Sequence, residues 1–313
     1  MPKLDVELAG LKLENPFILA SGIWGETGAT LARALRAGAA AAVTKSIGLE
    51  PRPGYPGPTV AELPTGLLNA MGLPNPGIEA YKDEVEDALK ARKPLIGSIF
   101  ASNSKDFMAL ARKMEGYGVQ ALELNLSCPH AKDYGATLGQ DPAITKRITA
   151  AVKSIVRIPV FVKLTPNVSS IAALARACES GGADGVSAIN TLKGMAIDLE
   201  LARPILSHGS GGYSGPGIKP VGICSVYELY DAVKIPIIGM GGICTGEDAA
   251  EYMMAGATAV QLGTAMLLGR ERTFARLSKE LSSFLDRNGY ALARRLTGCA
   301  HEGKNRRSLR RSG

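Results

Sequence analysis

The run ELNLSCPH, Glu123 to His130, changes character part-way: an apolar β-type segment closes on Asn125, Ser127, Cys128, Pro129 and His130. A strand that stops on a thiol flanked by amide and hydroxyl groups invites comparison with the other strand-like runs in the chain. Seven more short runs rich in Val, Ile and Leu occur: FILASG (17–22), AAVTKS (41–46), PLIGSIF (94–100), PVFVKLTP (159–166), GVSAINT (185–191), PIIGMGGI (236–243) and AVQLGTA (259–265). Between them lie longer segments such as SKDFMALARKMEGYG, DPAITKRITAAVKSI and TFARLSKELSSFLDRNGY, whose apolar residues recur at three- and four-residue spacing. Continuous apolar runs alternating with amphipathic helices predict parallel strands covered on both faces. Eight such units predict a closed (β/α)8 TIM barrel over residues 1–302 as a single domain.

Composition agrees with one large globular core. The chain has 313 residues, 46% hydrophobic and 21% charged, and its 37 glycines exceed the usual ~7% share. The net charge of +7 owes much to the closing KNRRSLRRSG, with five basic residues and no acidic one. Residues 303–313 therefore read as a solvated, disordered tail, and no basic stripe interleaved with aromatics predicts a nucleic-acid partner. The five cysteines are odd in number and form no CxxC pair, so no metal or iron–sulfur cluster is expected on this chain. Reduced thiols, no signal-like N-terminus and no apolar run of membrane-spanning length together predict a soluble, cytoplasmic protein without a membrane partner.

Two segments are too long for routine strand-to-helix connections. GLEPRPGYPGPTVAELPTGLLNAMGLPNPG (48–77) is rich in Pro and Gly and reads as a functional loop. LKGMAIDLELARPILSHGSGGYSGPGIKP (192–220) is a second insertion, between the sixth and seventh strands.

Barrel sites gather at the carboxyl ends of the strands. Read together, those ends supply Ser21, Lys45, Ser46, Asn125, Cys128, Lys163, Asn190, Thr191, Gly241, Gly242, Gly263 and Thr264. The glycine-rich ends of the last two strands expose backbone N–H groups beside the next helices, an arrangement that binds phosphate. Neither GxGxxG after a strand nor GxxxxGK[ST] occurs, so a mononucleotide fits better than a dinucleotide. Cys128, at a strand mouth with lysines on neighbouring strands, reads as a base or nucleophile.

As a set, NPFILASG, VTKS, GLLNAMGLPNPG, ELNLSCP, VKLTPN, INTLKGMAID, GGYSGPGIKP, GMGGI and QLGTA resemble the dihydroorotate dehydrogenases of pyrimidine biosynthesis over nearly the whole chain. The resemblance implies an FMN-containing barrel that oxidises dihydroorotate to orotate. Cys128 in the position of the catalytic base resembles class 1, and the loop and insertion resemble class 1B, the NAD-linked catalytic subunit, more than the fumarate-linked class 1A. By that resemblance Ser21, Lys45, Ser46, Ser98, Asn125, Lys163, Ile189, Gly215, Gly241, Gly242, Gly263 and Thr264 contact FMN. Lys45, Asn69, Ala70, Met71, Gly72, Leu73, Asn125, Asn190 and Thr191 bind the pyrimidine. Electrons would pass to NAD through a partner subunit carrying FAD and a [2Fe-2S] cluster, in a homodimer or heterotetramer. Ser98 stands where many members have asparagine, and His130 follows CysPro as in the dihydropyrimidine dehydrogenases, which makes uracil or thymine chemistry the alternative. A barrel lyase using Lys163 as a Schiff base, and a catalytically silent barrel, are the readings from other classes.

Overall fold

The eight apolar runs become eight parallel strands that close on one another. The computed structural model describes residues 2–126 and 138–302. The barrel strands are Phe17–Leu19, Ala41–Val43, Leu95–Ile99, Ala121–Asn125, Val160–Leu164, Gly185–Ala188, Ile237–Met240 and Ala259–Leu262, in that order around the barrel. Pairing of Val260 with Phe17 joins the eighth strand to the first. Nearly every residue in these strands is buried. Inward side chains fill the barrel and outward ones meet the helices, which is why the sequence shows no polar alternation.

The helices between strands carry their start signals in the sequence. Asn103 caps Ser104–Gly116, Asp141 caps Pro142–Lys153 and Ser170 caps Ile171–Ser180, each side-chain oxygen accepting from a first-turn N–H. A hairpin of Val6–Leu8 and Leu11–Leu13 precedes the first barrel strand.

The two insertions differ from the loops expected of them. Val60–Leu63 and Gly66–Asn69 from the first, and Leu192–Gly194 and Gly211–Ser214 from the second, form one four-stranded antiparallel sheet. Gly212 pairs with Asn69 and Tyr213 with Leu68. The glycines explain why this can form, since a side chain at Gly211 would collide with the Asn69 carbonyl oxygen. The sheet has its own small apolar cluster of Leu68, Ala70 and Leu206. It joins the mouth of the barrel through Thr264, whose hydroxyl donates to Ser214 at 2.9 Å. Both insertions therefore contribute to one hydrogen-bonded cover at the carboxyl-end face.

Candidate active site

A cavity of about 480 Å³ lies between the strand ends and this sheet, within the size range of small-molecule sites. Its lower wall comes from the barrel: Ser21 follows the first strand, Lys45 and Ser46 the second, and Asn125 and Lys163 lie on the fourth and fifth. Ile189, Asn190 and Thr191 continue the sixth strand, and Gly241, Gly242, Gly263 and Thr264 follow the last two. From above come Asn69, Met71, Leu73 and Gly215. Sixteen described residues expected at the site from the sequence are thus brought together.

Three expected positions do not line the cavity. Ala70 and Gly72 alternate with cavity-lining neighbours in the turn that follows the strand Gly66–Asn69, where Gly72 has φ +74° and Leu73 φ +57°. Ser98 is completely buried behind Ser46, its Oγ 2.8 Å from the Ser46 hydroxyl, and its N–H donates to Thr44 Oγ1 at 2.9 Å. Ser46 also lies 3.2 Å from Ser21 Oγ and accepts from Asn125 Nδ2 at 3.2 Å. Ser98 therefore fixes a hub of hydroxyls and reaches the cavity only through it. Cys128, with Ser127, Pro129 and His130, and the tail 303–313 lie outside the described residues.

Two lysines set the charge of the cavity. Lys45 and Lys163 are each less than a tenth exposed. Lys45 has Glu26 at 3.4 Å, a residue mostly in solvent, whereas Lys163 has the sealed carboxylate of Glu123 at 3.7 Å. Such an arrangement favours a ligand bearing negative charge or acceptor oxygens.

Gly241, Gly242 and Gly263 line the cavity, but the helix that follows the seventh strand differs from the sequence reading. Gly242 has φ +74°, and a Cβ there would lie 2.8 Å from the Gly215 carbonyl oxygen and 2.9 Å from Lys219 N, so only glycine fits. Tyr252 pins the adjoining peptide by donating to the Gly241 carbonyl at 2.6 Å, and burial pushes its phenol well above the usual range. The next helix, Gly246–Ala255, does not offer its N-terminus to a ligand, because Asp248 already accepts from the N–H groups of Cys244 and Thr245 at 2.9 Å each. An anion at this end of the cavity would meet the glycine turns and not the first N–H groups of that helix. At Gly263 a Cβ would project into open space, with only Ala20 Cβ within 4 Å, at 3.9 Å. The room beside that backbone, and the two buried cations, fit a phosphorylated cofactor with a polar ring.

Several lining residues were not anticipated. Gln261 and Ser214 are the polar ones, and Cys244 is a cavity-lining thiol. Burial, reinforced by the Asp248 carboxylate, pushes that thiol up, so it is held protonated and is a poor base at neutral pH. Gln261 was visible as the lone polar side chain in AVQL, and its full burial gives it a structural partner, Glu123.

The fold and cavity define an α/β barrel enzyme scaffold with a cationic, glycine-cradled ligand site at its carboxyl-end face. Comparison with known proteins narrows this: the family model for dihydroorotate dehydrogenase matches residues 3–285, and the chain belongs to that family. It is 50% identical over 297 residues to the "dihydroorotate dehydrogenase B (NAD(+)), catalytic subunit" of Methanosarcina mazei, covering 94% of each chain. The protein of the same description from Pyrococcus furiosus is 50% identical across 96% of this chain and 99% of its own. That of Methanocaldococcus jannaschii is 49% identical, covering 96% and 98%. No helix among the described residues is long and apolar enough to cross a membrane.

Proposed function

We propose that this chain is the FMN-binding catalytic subunit of a class 1B dihydroorotate dehydrogenase, oxidising dihydroorotate to orotate for pyrimidine biosynthesis. The observation that carries the reading is the convergence of Asn69, Asn125, Asn190, Lys45 and Lys163 with the Gly241–Gly242 and Gly263–Thr264 turns on one cavity. The relatives' shared description supports the NAD-linked division over the fumarate-linked one.

Gly215, Gly241, Gly242, Gly263 and Thr264 would hold the phosphate end of the cofactor, and Ser21, Ser46, Lys163 and Ile189 its ring. Ser98 supports Ser46 from behind. When bound, FMN supplies the acceptor for the hydride that leaves C6 of dihydroorotate. The protein's part is to orient the substrate and take the C5 proton. Asparagine amides suit the imide-like edge of the pyrimidine because each offers a donor and an acceptor. Lys45 attracts its carboxylate, and Met71 and Leu73 exclude water from above. Cys128, two residues beyond the last described residue of the fourth-strand end, is the proposed base. A thiol has an ordinary pKa near 8.5, and cationic neighbours raise the thiolate fraction at neutral pH.

Electrons are proposed to leave the site to another protein and not to a second small substrate. A partner carrying FAD and a [2Fe-2S] cluster fits both the relatives' designation as a catalytic subunit and the lack of a clustered cysteine set in the sequence. Residues 1–302 would form the barrel domain of a cytoplasmic homodimer or heterotetramer, with 303–313 as an appendage.

Anaerobic mixing of purified protein with dihydroorotate tests the reading. Yellow protein should be bleached by dihydroorotate and not by dihydrouracil, and Cys128→Ser should keep its colour but bleach at least tenfold more slowly at pH 7. Reduction by dihydrouracil alone would assign the protein to dihydropyrimidine chemistry, and an unslowed Cys128→Ser would remove the thiol as base.

A further inference from the structure

Glu123 lies one layer beneath the cavity floor and has no role in the chemistry above. It sits two residues before Asn125 on the same inward face of the fourth strand and is completely buried. Its Oε2 accepts from Ser187 Oγ at 2.9 Å and from Gln261 Nε2 at 2.8 Å. Its Oε1 has no hydrogen-bond partner and lies 3.7 Å from Lys163 Nζ. Gln261 Oε1 is likewise buried without a partner.

These facts constrain one another. An ionised carboxylate only accepts, so Gln261 must turn its NH2 toward Glu123 and leave its oxygen uncommitted. At 3.7 Å the Lys163 ammonium feels the charge of Glu123 but gives it no hydrogen bond, which leaves its N–H donors for another acceptor. Lys163 and Gln261 both line the cavity. One hidden carboxylate thereby sorts the floor into a cationic donor and a neutral acceptor. A flavin's pyrimidine edge carries carbonyl oxygens and an imide N–H, a pattern that matches this pair.

We infer that Glu123 is a positioning residue that fixes Lys163 and Gln261 for the flavin ring and whose buried negative charge opposes accumulation of electrons there. The inference rests on the flavin reading above. It implies that the floor carries a balanced charge pair instead of a lone cation, so the ring is bound firmly without being made excessively easy to reduce.

The test is the two-electron midpoint potential of the holoenzyme, measured by anaerobic dye titration. Glu123→Gln removes the charge and keeps the shape. It should favour reduced over oxidised flavin by at least tenfold, a rise of about 30 mV, while Glu123→Asp stays within threefold of the original ratio. Simple loosening of the site would weaken both redox forms alike and leave the potential in place, so an unchanged or lower potential in Glu123→Gln overturns the inference. Should that variant retain too little flavin to titrate, Ser187→Ala decides. Loss of a hydroxyl dipole that offsets part of the carboxylate's negative field should lower the potential, and no change or a rise would again overturn it. Colourless unsubstituted protein would remove the flavin reading itself, whereas yellow protein with an unmoved Glu123→Gln potential would remove only this inference.

Discussion

Replacing Gly263 by alanine adds one methyl group to the cavity wall and almost nothing to the fold. The new Cβ would meet only Ala20 Cβ, at 3.9 Å, which is ordinary van der Waals contact, and Gly263 is not among the positive-φ residues. A glycine-to-alanine change at a compatible position restricts the unfolded chain and stabilises by roughly 0.4–1 kcal/mol. Unfolding stability should therefore stay level or rise slightly. Ligand binding should suffer, because overfilling a packed space costs about 1–3 kcal/mol, or roughly 5- to 150-fold in affinity. Gly242→Ala is the contrasting case. There φ is +74° and the methyl would press on backbone atoms of Gly215 and Lys219. A left-handed conformation alone costs roughly 1–2 kcal/mol for a non-glycine residue, so stability and binding should fall together. FMN titration by fluorescence quenching, alongside urea unfolding, reads both quantities. If Gly263→Ala binds FMN as tightly as the original protein, or loses as much stability as Gly242→Ala, the space beside Gly263 is not where the cofactor sits.

The barrel was legible because its strands are buried on both faces, and that condition writes itself into sequence as unbroken apolar runs. The strand ends were legible for the complementary reason: Lys45, Asn125 and Lys163 are polar groups placed where a buried strand should continue apolar. The four-stranded cover was not legible. Its strands are only three or four residues long, and the pairing that unites the two insertions, Gly212 with Asn69, spans more than a hundred residues, so periodicity does not announce the sheet. Ser98 shows a different limit. The family resemblance put it at the site, yet depth within the barrel decides whether it touches a ligand or supports Ser46. Similarly, the glycines after the seventh strand suggested an open helix N-terminus, but the spacing from Thr245 to Asp248 is that of a capping box, and that side chain had already taken the place of an anion. Glu123 stood in the decisive stretch throughout.

Asp248 gives a prediction in pH. Burial pushes its carboxyl up, but the Lys219 ammonium together with the N–H groups of Cys244 and Thr245 outweighs that and holds it below its ordinary value of 3.8. A depressed carboxyl contributes stability above its unfolded pKa and loses it as pH falls through the folded value. Asp248→Asn should thus flatten the fall in urea midpoint as pH drops below about 3.8, and equal acid slopes for the two proteins would refute the assignment. The last prediction concerns the buried pair and depends on which member can reach water. At 3.7 Å and an effective dielectric of about 20, the attraction is about 4–5 kcal/mol. Lys163→Met strands a sealed carboxylate, for which about 3–5 kcal/mol of destabilisation is typical. Glu123→Gln strands an ammonium that borders the cavity and can be solvated there, so its cost should be nearer about 1–2 kcal/mol. The double variant removes both charges and should be more stable than Lys163→Met alone, since no buried charge is left without a partner. Urea unfolding of the three variants in flavin-free protein, where water can reach the cavity, measures the order. If Lys163→Met is as stable as Glu123→Gln, the buried carboxylate does not depend on Lys163 and the pairing is refuted.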